Sequence, residues 1–440
     1  MNQIVGWFSV FNFAIGQALP ALLLVARAVP SENKVMNLPS IEDIHEFDLR
    51  RPSDAFYADP YPTLHALRSA APLHRCPDGS WLLTRYADLN HVYRNPRLFS
   101  SDKQQQFRPL FGDSPLYEHH TTSLVFNDPP LHTQVRKAIG DALSPRVVAS
   151  MESSLLALVD GLLDNMAAAG ECDLMTDFAA AIPLEVIGNL LAIESVDRAP
   201  LQRWSNAILG ALELGSDLAR LAQGNQAVEE FVAFLQDLIA HRRRAGADAD
   251  DIVSRLIRWE TPDFRLSEFQ IYHQCIFLLN AGHETTTNLI GNGVLALLQH
   301  PRELARLRAS PHLIDSTVEE CLRYEAPVQL GNRTVTETTR IGEQDFTAGS
   351  VLTLAIGAAN RDPAVFDAPD VFDITRSPNP HLAFGAGIHT CAGLAVARLE
   401  ARIAIARLVA RFPQLELGGA PQRARRARFR VLRHLPLVCR

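Results

Sequence analysis

The residues best suited to do chemistry surround one cysteine, in Phe384-Gly385-Ala386-Gly387-Ile388-His389-Thr390-Cys391-Ala392-Gly393. A cysteine that binds iron must be held deprotonated, and backbone N–H groups aimed at its sulfur from a tight loop opening into a helix supply that stabilisation. Gly385 and Gly387 allow positive φ and close approach to a flat ligand. Gly393 removes a side chain where the following helix, expected over 392–409, would press on that ligand. A second constellation, Ala281-Gly282-His283-Glu284-Thr285-Thr286-Thr287, lies midway along an apolar run. A glycine, an acid and three threonines are poor helix material, and Thr hydroxyls bond back to the preceding turn, so a local opening is expected there. His283-Glu284 is not half of a zinc-hydrolase motif, because the position four after His283 is Thr287. A third pair, Glu320 and Arg323, is three apart on one helix face, and Pro327 ends that helix soon after.

The cysteine segment resembles the haem-binding loop of the cytochromes P450, Phe-Gly-x-Gly-x-x-x-Cys-x-Gly, at every fixed position. The resemblance extends from Asp48 to Arg440. It implies a mainly α fold with a small β region, one haem b, and Cys391 as the iron ligand, with Phe384, Gly385 and Gly393 shaping its loop. By the same resemblance Thr285 would hydrogen-bond the distal atom of O2 and Glu284 would relay protons to it. His132 and Arg136, four apart after Asp128-Pro129-Pro130, match family contacts to the haem propionates, as do Arg333 and His389. Glu320 and Arg323 match the family's structural brace. Many relatives complete it with an arginine just before a Phe, where this chain has Val371 before Phe372; either Arg376 supplies the third member or the brace is only a pair.

The elements that must position these residues are legible in outline. Ser267 with Gln270 makes a capping-box start, apolar residues recur from Phe269 to Leu298, and Pro301 ends the run, giving a helix of about 50 Å that must pass through the core. Trp81-Leu82-Leu83-Thr84 and Val351-Leu352-Thr353-Leu354 read as short strands. The stretch 101–126 reads as a long irregular loop of the kind found at active sites, and 242–251 as a solvated turn. The arginine run from Arg423 to Arg433 reads as a closing strand pair with one solvated face.

A net charge of −7 gives no reason to expect nucleic acid, and the six cysteines show neither zinc-ligand nor disulfide spacing, which fits a reducing cytoplasm. Residues 1–35 form an apolar extension ahead of a catalytic domain over 36–440. Three readings stay open for it: an over-called start with Met36 as the natural first residue, an anchor making membrane contact through 1–29, or a cleaved signal. The family implies NAD(P)H-driven insertion of one O2 oxygen into an apolar small molecule. With no flavin or ferredoxin domain fused, a separate ferredoxin and ferredoxin reductase would supply the electrons. Alternatives are a P450-fold peroxygenase, isomerase or dehydratase, which often lose the acid–alcohol pair present here, and a non-catalytic haem sensor.

Overall fold

Ser267 starts the element on which the rest is built. Its hydroxyl accepts from the Gln270 N–H (3.2 Å) while its own N–H donates to Gln270 Oε1 (2.9 Å), the reciprocal pair that this spacing predicts. In the computed structural model, which describes residues 44–245, 251–262 and 264–440, this central helix runs Glu268–Gln299 and gives way to a helix opened by Pro301. It is apolar nearly all round because it serves two cores. Ile271, Cys275, Ile276 and Leu279 pack with helices Leu201–Ala211, Leu218–Ala245 and Ile252–Arg258. Further along, Leu289, Ile290, Val294 and Leu297 pack with Glu152–Ala169, Ile314–Tyr324 and Leu394–Arg411. No helix among the described residues is long and apolar enough to cross a membrane. The apolar extension 1–35 lies outside the described residues.

Both expected strands exist and lie side by side. Trp81–Leu83 runs parallel to Val351–Ala355, with Leu352 opposite Trp81. Val351–Ala355 pairs antiparallel with Leu330–Val335, setting Leu352 opposite Arg333. Leu73–Arg75 and Phe99–Ser100 complete the five-stranded sheet at its two edges.

Four expectations are corrected. The stretch 101–126 is mostly helical, with helices Gln104–Phe111 and Pro115–Thr122. Ser114 caps the second by accepting from the Tyr117 N–H, and Pro115 sits where its missing N–H costs nothing. The central helix does not open at 281–287, because Thr285 and Thr287 donate to the carbonyls of Ala281 (2.6 Å) and His283 (2.9 Å) without displacing the N–H ladder. The 242–251 patch is in part helix, since Leu218–Ala245 continues into it and Asp251 caps Ile252–Arg258; residues 246–250 lie outside the described residues. The C-terminal strands Leu432–His434 and Pro436–Val438 pair with Gln422–Arg423 and with Glu416–Leu417 and Glu171–Asp173, not with each other. The arginines there are not one solvated face either. Arg425 and Arg433 are exposed, but Arg430 is buried, donating to Glu325 (2.6 Å) and to the carbonyls of Tyr57 and Ala58.

The brace is a triad. Arg323 and Glu320 are fully buried and meet fork to fork, both bonds 2.8 Å, and Arg323 also donates to the carbonyls of Asn360, Pro369 and Val371. Arg376 supplies the third member, its Nε 3.2 Å from Glu320 Oε2, and its Nη1 donates to the Asp367 carbonyl. Asp373 N–H and Asn379 Nδ2 fill the remaining lone pairs of Glu320. One carboxylate thus ties helix Ile314–Tyr324 to the meander that leads into the cysteine loop.

Candidate active site

The cysteine loop is fixed by backbone. The Cys391 N–H donates to the Phe384 carbonyl and the Gly385 N–H to that of Leu382, both 2.8 Å. Gly385 and Gly387 have φ of +67° and +70°, and a Cβ on Gly387 would stand 2.2 Å from the Tyr93 carbonyl oxygen, so both glycines are required. A Cβ on Gly393 would meet no atom within 4 Å, which marks an open face beside the sulfur. The following helix is Leu394–Arg411, displaced two residues from the expected span. Burial raises the pKa of the Cys391 thiol, and a hydrogen bond from the Gly393 N–H with the charges of Arg136 and Arg398 opposes that rise. Arg398 lies over the Phe384 ring at 4.9 Å and is held there by Glu319.

The four expected propionate contacts are brought together. The rings of His132 and His389 are 4.2 Å apart, and His132 has no partner on either nitrogen, His389 none on Nε2. His389 is depressed to about 2 by burial and then by Arg333, His132, Arg136 and Lys103. Arg333, on strand Leu330–Val335, lies over the Tyr93 ring at 5.1 Å and donates only to the Asn332 carbonyl. Lys103 is the member that sequence reasoning missed: only 1 % exposed, it donates to Thr334 Oγ1 (3.3 Å), and burial lowers its pKa to about 7. Nothing in its local sequence sets it apart from a surface lysine; only the pairing of Phe99–Ser100 with Leu330–Val335 carries it inward. Asp128, accepting from Ser100 Oγ and the Ser101 N–H, is the one acid whose charge reaches Lys103, His132 and Arg333 alike. Arg136, Arg333 and Lys103 outnumber Asp128, a cationic surplus of the sign that propionates answer. Unpartnered buried donors, a surplus of cations and an open face beside a cysteine fit haem.

Glu284 and Thr285 diverge. Thr285 is half-buried beside the exposed Ala281, and its proton is taken by the Ala281 carbonyl. Its oxygen is left with lone pairs, so Thr285 would meet a bound oxygen as an acceptor and not as a donor. Glu284 is 6 % exposed; Oε1 pairs with Arg426, while Oε2 has no partner. Burial raises its pKa and Arg426 pulls it back. Glu284 lines a cleft of about 480 Å3 together with Glu213, Arg426 and Arg433. Arg426 is shared with Glu213 (2.8 Å), which also accepts from the N–H groups of Ala427 and Arg428.

Asn280, one position before Ala281, is 4 % exposed. Its Nδ2 lies 3.3 Å from His119 Nε2 and its Oδ1 is buried, so the amide ties the central helix to Pro115–Thr122. Asn280→Leu should lower the melting temperature by the worth of about 1 kcal/mol and leave substrate affinity unchanged. Weaker binding at an unchanged melting temperature would restore a substrate role.

The family model "Cytochrome P450" matches residues 80–428. The biotin biosynthesis cytochrome P450 of Bacillus subtilis (strain 168) is 36% identical over 393 residues, covering 88% of this chain and 98% of the relative. The monooxygenase PikC of Streptomyces venezuelae is 39% identical over 382 residues, covering 85% and 89%. Among solved structures, P450BioI in complex with an acyl carrier protein ligated to hexadec-9Z-enoic acid superposes with a TM-score of 0.82 at 34% identity, covering 88% of this chain and all of that one. CalO2 superposes at 0.84 with 32% identity, covering 90% and 99%. A cysteine loop, a cationic cradle and an acid–alcohol pair, set in a fold shared with these relatives over most of their length, make this chain a member of the cytochrome P450 family, a haem-dependent monooxygenase of the bacterial type.

Proposed function

We propose that the protein inserts one oxygen atom of O2 into an apolar organic molecule in the cytoplasm, with NAD(P)H electrons delivered by a separate ferredoxin and its reductase. The observation that carries this is the split setting of the acid–alcohol pair, with Thr285 half-buried and its proton spent on the Ala281 carbonyl, and Glu284 lining an open polar cleft with Oε2 unpartnered. Haem supplies the O2 chemistry, and a thiolate ligand favours O–O cleavage. Cys391 holds the iron as thiolate, with the Gly393 N–H and the charges of Arg136 and Arg398 stabilising the anion. Phe384 and Gly385 keep that loop in shape, and Gly393 leaves room for the ring. His132, Arg136, Arg333, His389 and Lys103 hold the propionates. Thr285 Oγ1, its own proton spent on the Ala281 carbonyl, is left to accept a hydrogen bond from a donor beside it. Glu284 Oε2, free of partners, takes a proton from the cleft and releases it toward the cavity. The presence of both members of the pair speaks against a peroxygenase or isomerase.

The test is spectral and isotopic. The reduced protein with CO should show the far-red-shifted Soret band of Cys-ligated haem, and Cys391→His should abolish it. With NADPH, a ferredoxin and its reductase, ¹⁸O2 should place one labelled atom in the product; label arriving from water instead would sink the reading. A domain beginning at Met36 predicts further that deleting residues 1–35 leaves haem content and melting temperature unchanged. Lost haem on deletion would show that the segment belongs to the fold.

A further inference from the structure

The cations of the site are not all accounted for by haem. Arg136, Arg333 and Lys103, with Asp128 among them, make up the cradle around His132 and His389, and Arg428 stands beyond it. Its main chain is fixed: the Arg428 carbonyl accepts from the Gln329 N–H (2.9 Å), Phe429 bridges to Val328, and its own N–H donates to Glu213. The chain bends at Ala427 and Arg428. Whereas Arg426 pairs with Glu284, the charge of Arg428 is felt by Lys103 and by the buried His120 of helix Pro115–Thr122. Its Nε donates to the Leu212 carbonyl (3.3 Å), just past helix Leu201–Ala211. Arg428 thus reaches into the space between that helix end, His120 and the strand that carries Arg333.

Three observations show that this guanidinium lacks its partner. Among the described residues no carboxylate pairs with Arg428, and the nearest, Glu213, is already bound to Arg426 and to two backbone N–H groups. Among the described residues the two terminal nitrogens of Arg428 make no hydrogen bond, and neither is sealed from solvent, so both donors stay open to a ligand. Around them lie Lys103 and Arg426, whose charges oppose that of Arg428, so an anion placed against it is favoured.

Resting on the monooxygenase reading above, we infer that the substrate is an apolar carboxylic acid whose carboxylate is held by the two free terminal nitrogens of Arg428 while the apolar body extends toward Thr285. A guanidinium presents two parallel N–H donors that match the two oxygens of a carboxylate, so the contact fixes orientation as well as affinity. A distant anchor of this kind selects which carbon lies near the reacting centre, since the chain between carboxylate and Thr285 has one length.

The experiment uses the haem-loaded protein and matched probes: dodecanoate, hexadecanoate and 4-phenylbutyrate, each beside its methyl ester. Binding is read from the substrate-induced Soret shift and, independently of spin state, by isothermal titration calorimetry. At least one acid should bind ~10-fold to 100-fold more tightly than its ester, the usual worth of a hydrogen bond to a charged group. Arg428→Leu should erase that preference and leave the affinity for the ester unchanged, and Arg428→Lys should restore part of it. Equal binding of acids and esters in the wild type, no binding of any acid, or a preference that survives Arg428→Leu overturns the proposal. The wild-type comparison needs no variant, so a poorly folding Arg428→Leu protein does not shield the idea. Haem release should be equal in wild type and Arg428→Leu; faster release would reassign Arg428 to the propionates and overturn it too. A wild-type protein without the far-red-shifted CO band would instead fail the monooxygenase reading.

Discussion

A Thr285→Ala enzyme is expected to go on consuming NAD(P)H in the presence of substrate while releasing peroxide in place of product. Neither substrate binding nor electron entry uses the Thr285 hydroxyl, whose proton is spent on the Ala281 carbonyl at 2.6 Å. What the variant loses is the hydrogen-bond acceptor that Oγ1 provides. Coupling of reductant to product should therefore collapse while reductant consumption stays within a few-fold of wild type. Glu284→Gln should behave differently, slowing turnover as a whole by roughly 10²-fold or more, the usual worth of a positioned general acid. The two signatures are separable in one assay that follows NAD(P)H, peroxide and product together. A Thr285→Ala enzyme as tightly coupled as wild type would show the hydroxyl to be a helix-packing feature, and the peroxygenase or isomerase reading would take precedence.

The second large effect is expected at the brace. Glu320→Ala leaves Arg323 with no carboxylate at all in a fully buried position, and breaking a buried pair by removing one partner costs about 3–5 kcal/mol. That is a large share of the stability of an ordinary domain, so the variant should yield little folded, haem-loaded protein. Arg376→Ala should be milder, because Arg323 keeps both fork bonds to Glu320 and what is lost is one bond at 3.2 Å and the carbonyl contacts of Arg376. Soluble yield, haem content and urea midpoint together distinguish the two. Equal losses in both variants would show that the triad acts as a unit and not as a core pair with a supporting third member.

What could be read from the sequence is what short-range rules govern. The cysteine loop, the capping box at Ser267 and the two short strands at 81–83 and 351–355 depend on residues within a few positions of each other, and each is where it was expected, while the parallel pairing of the two strands was not legible. Arg376 could be named as a brace candidate from five residues beyond the usual position, but only the meander's path decides that its guanidinium meets Glu320. The long irregular loop expected over 101–126 failed because proline and glycine content masked two helices, one capped by Ser114 and opened by Pro115, whose aromatic and histidine side chains pack together: the His120 ring lies 5.8 Å from Phe107 and 5.3 Å from Phe111. Lys103 and Arg428 were invisible for a different reason. A lone basic residue is recognisable as functional only when it is buried without a counter-charge, and that is a property of strands and loops more than two hundred positions away in the chain.

Glu213 gives the molecule a mechanical property. It follows the end of helix Leu201–Ala211, yet its carboxylate grips the side chain of Arg426 and the N–H groups of Ala427 and Arg428, and Arg426 in turn grips Glu284. Any outward swing of that helix end must stretch this chain of contacts. Opening of the cleft and the electrostatic restraint on Glu284 are therefore one degree of freedom, like a latch whose bolt is also the trigger's safety catch, and on the proposed role of Glu284 a substitution that loosens the latch should disturb proton delivery without touching the haem.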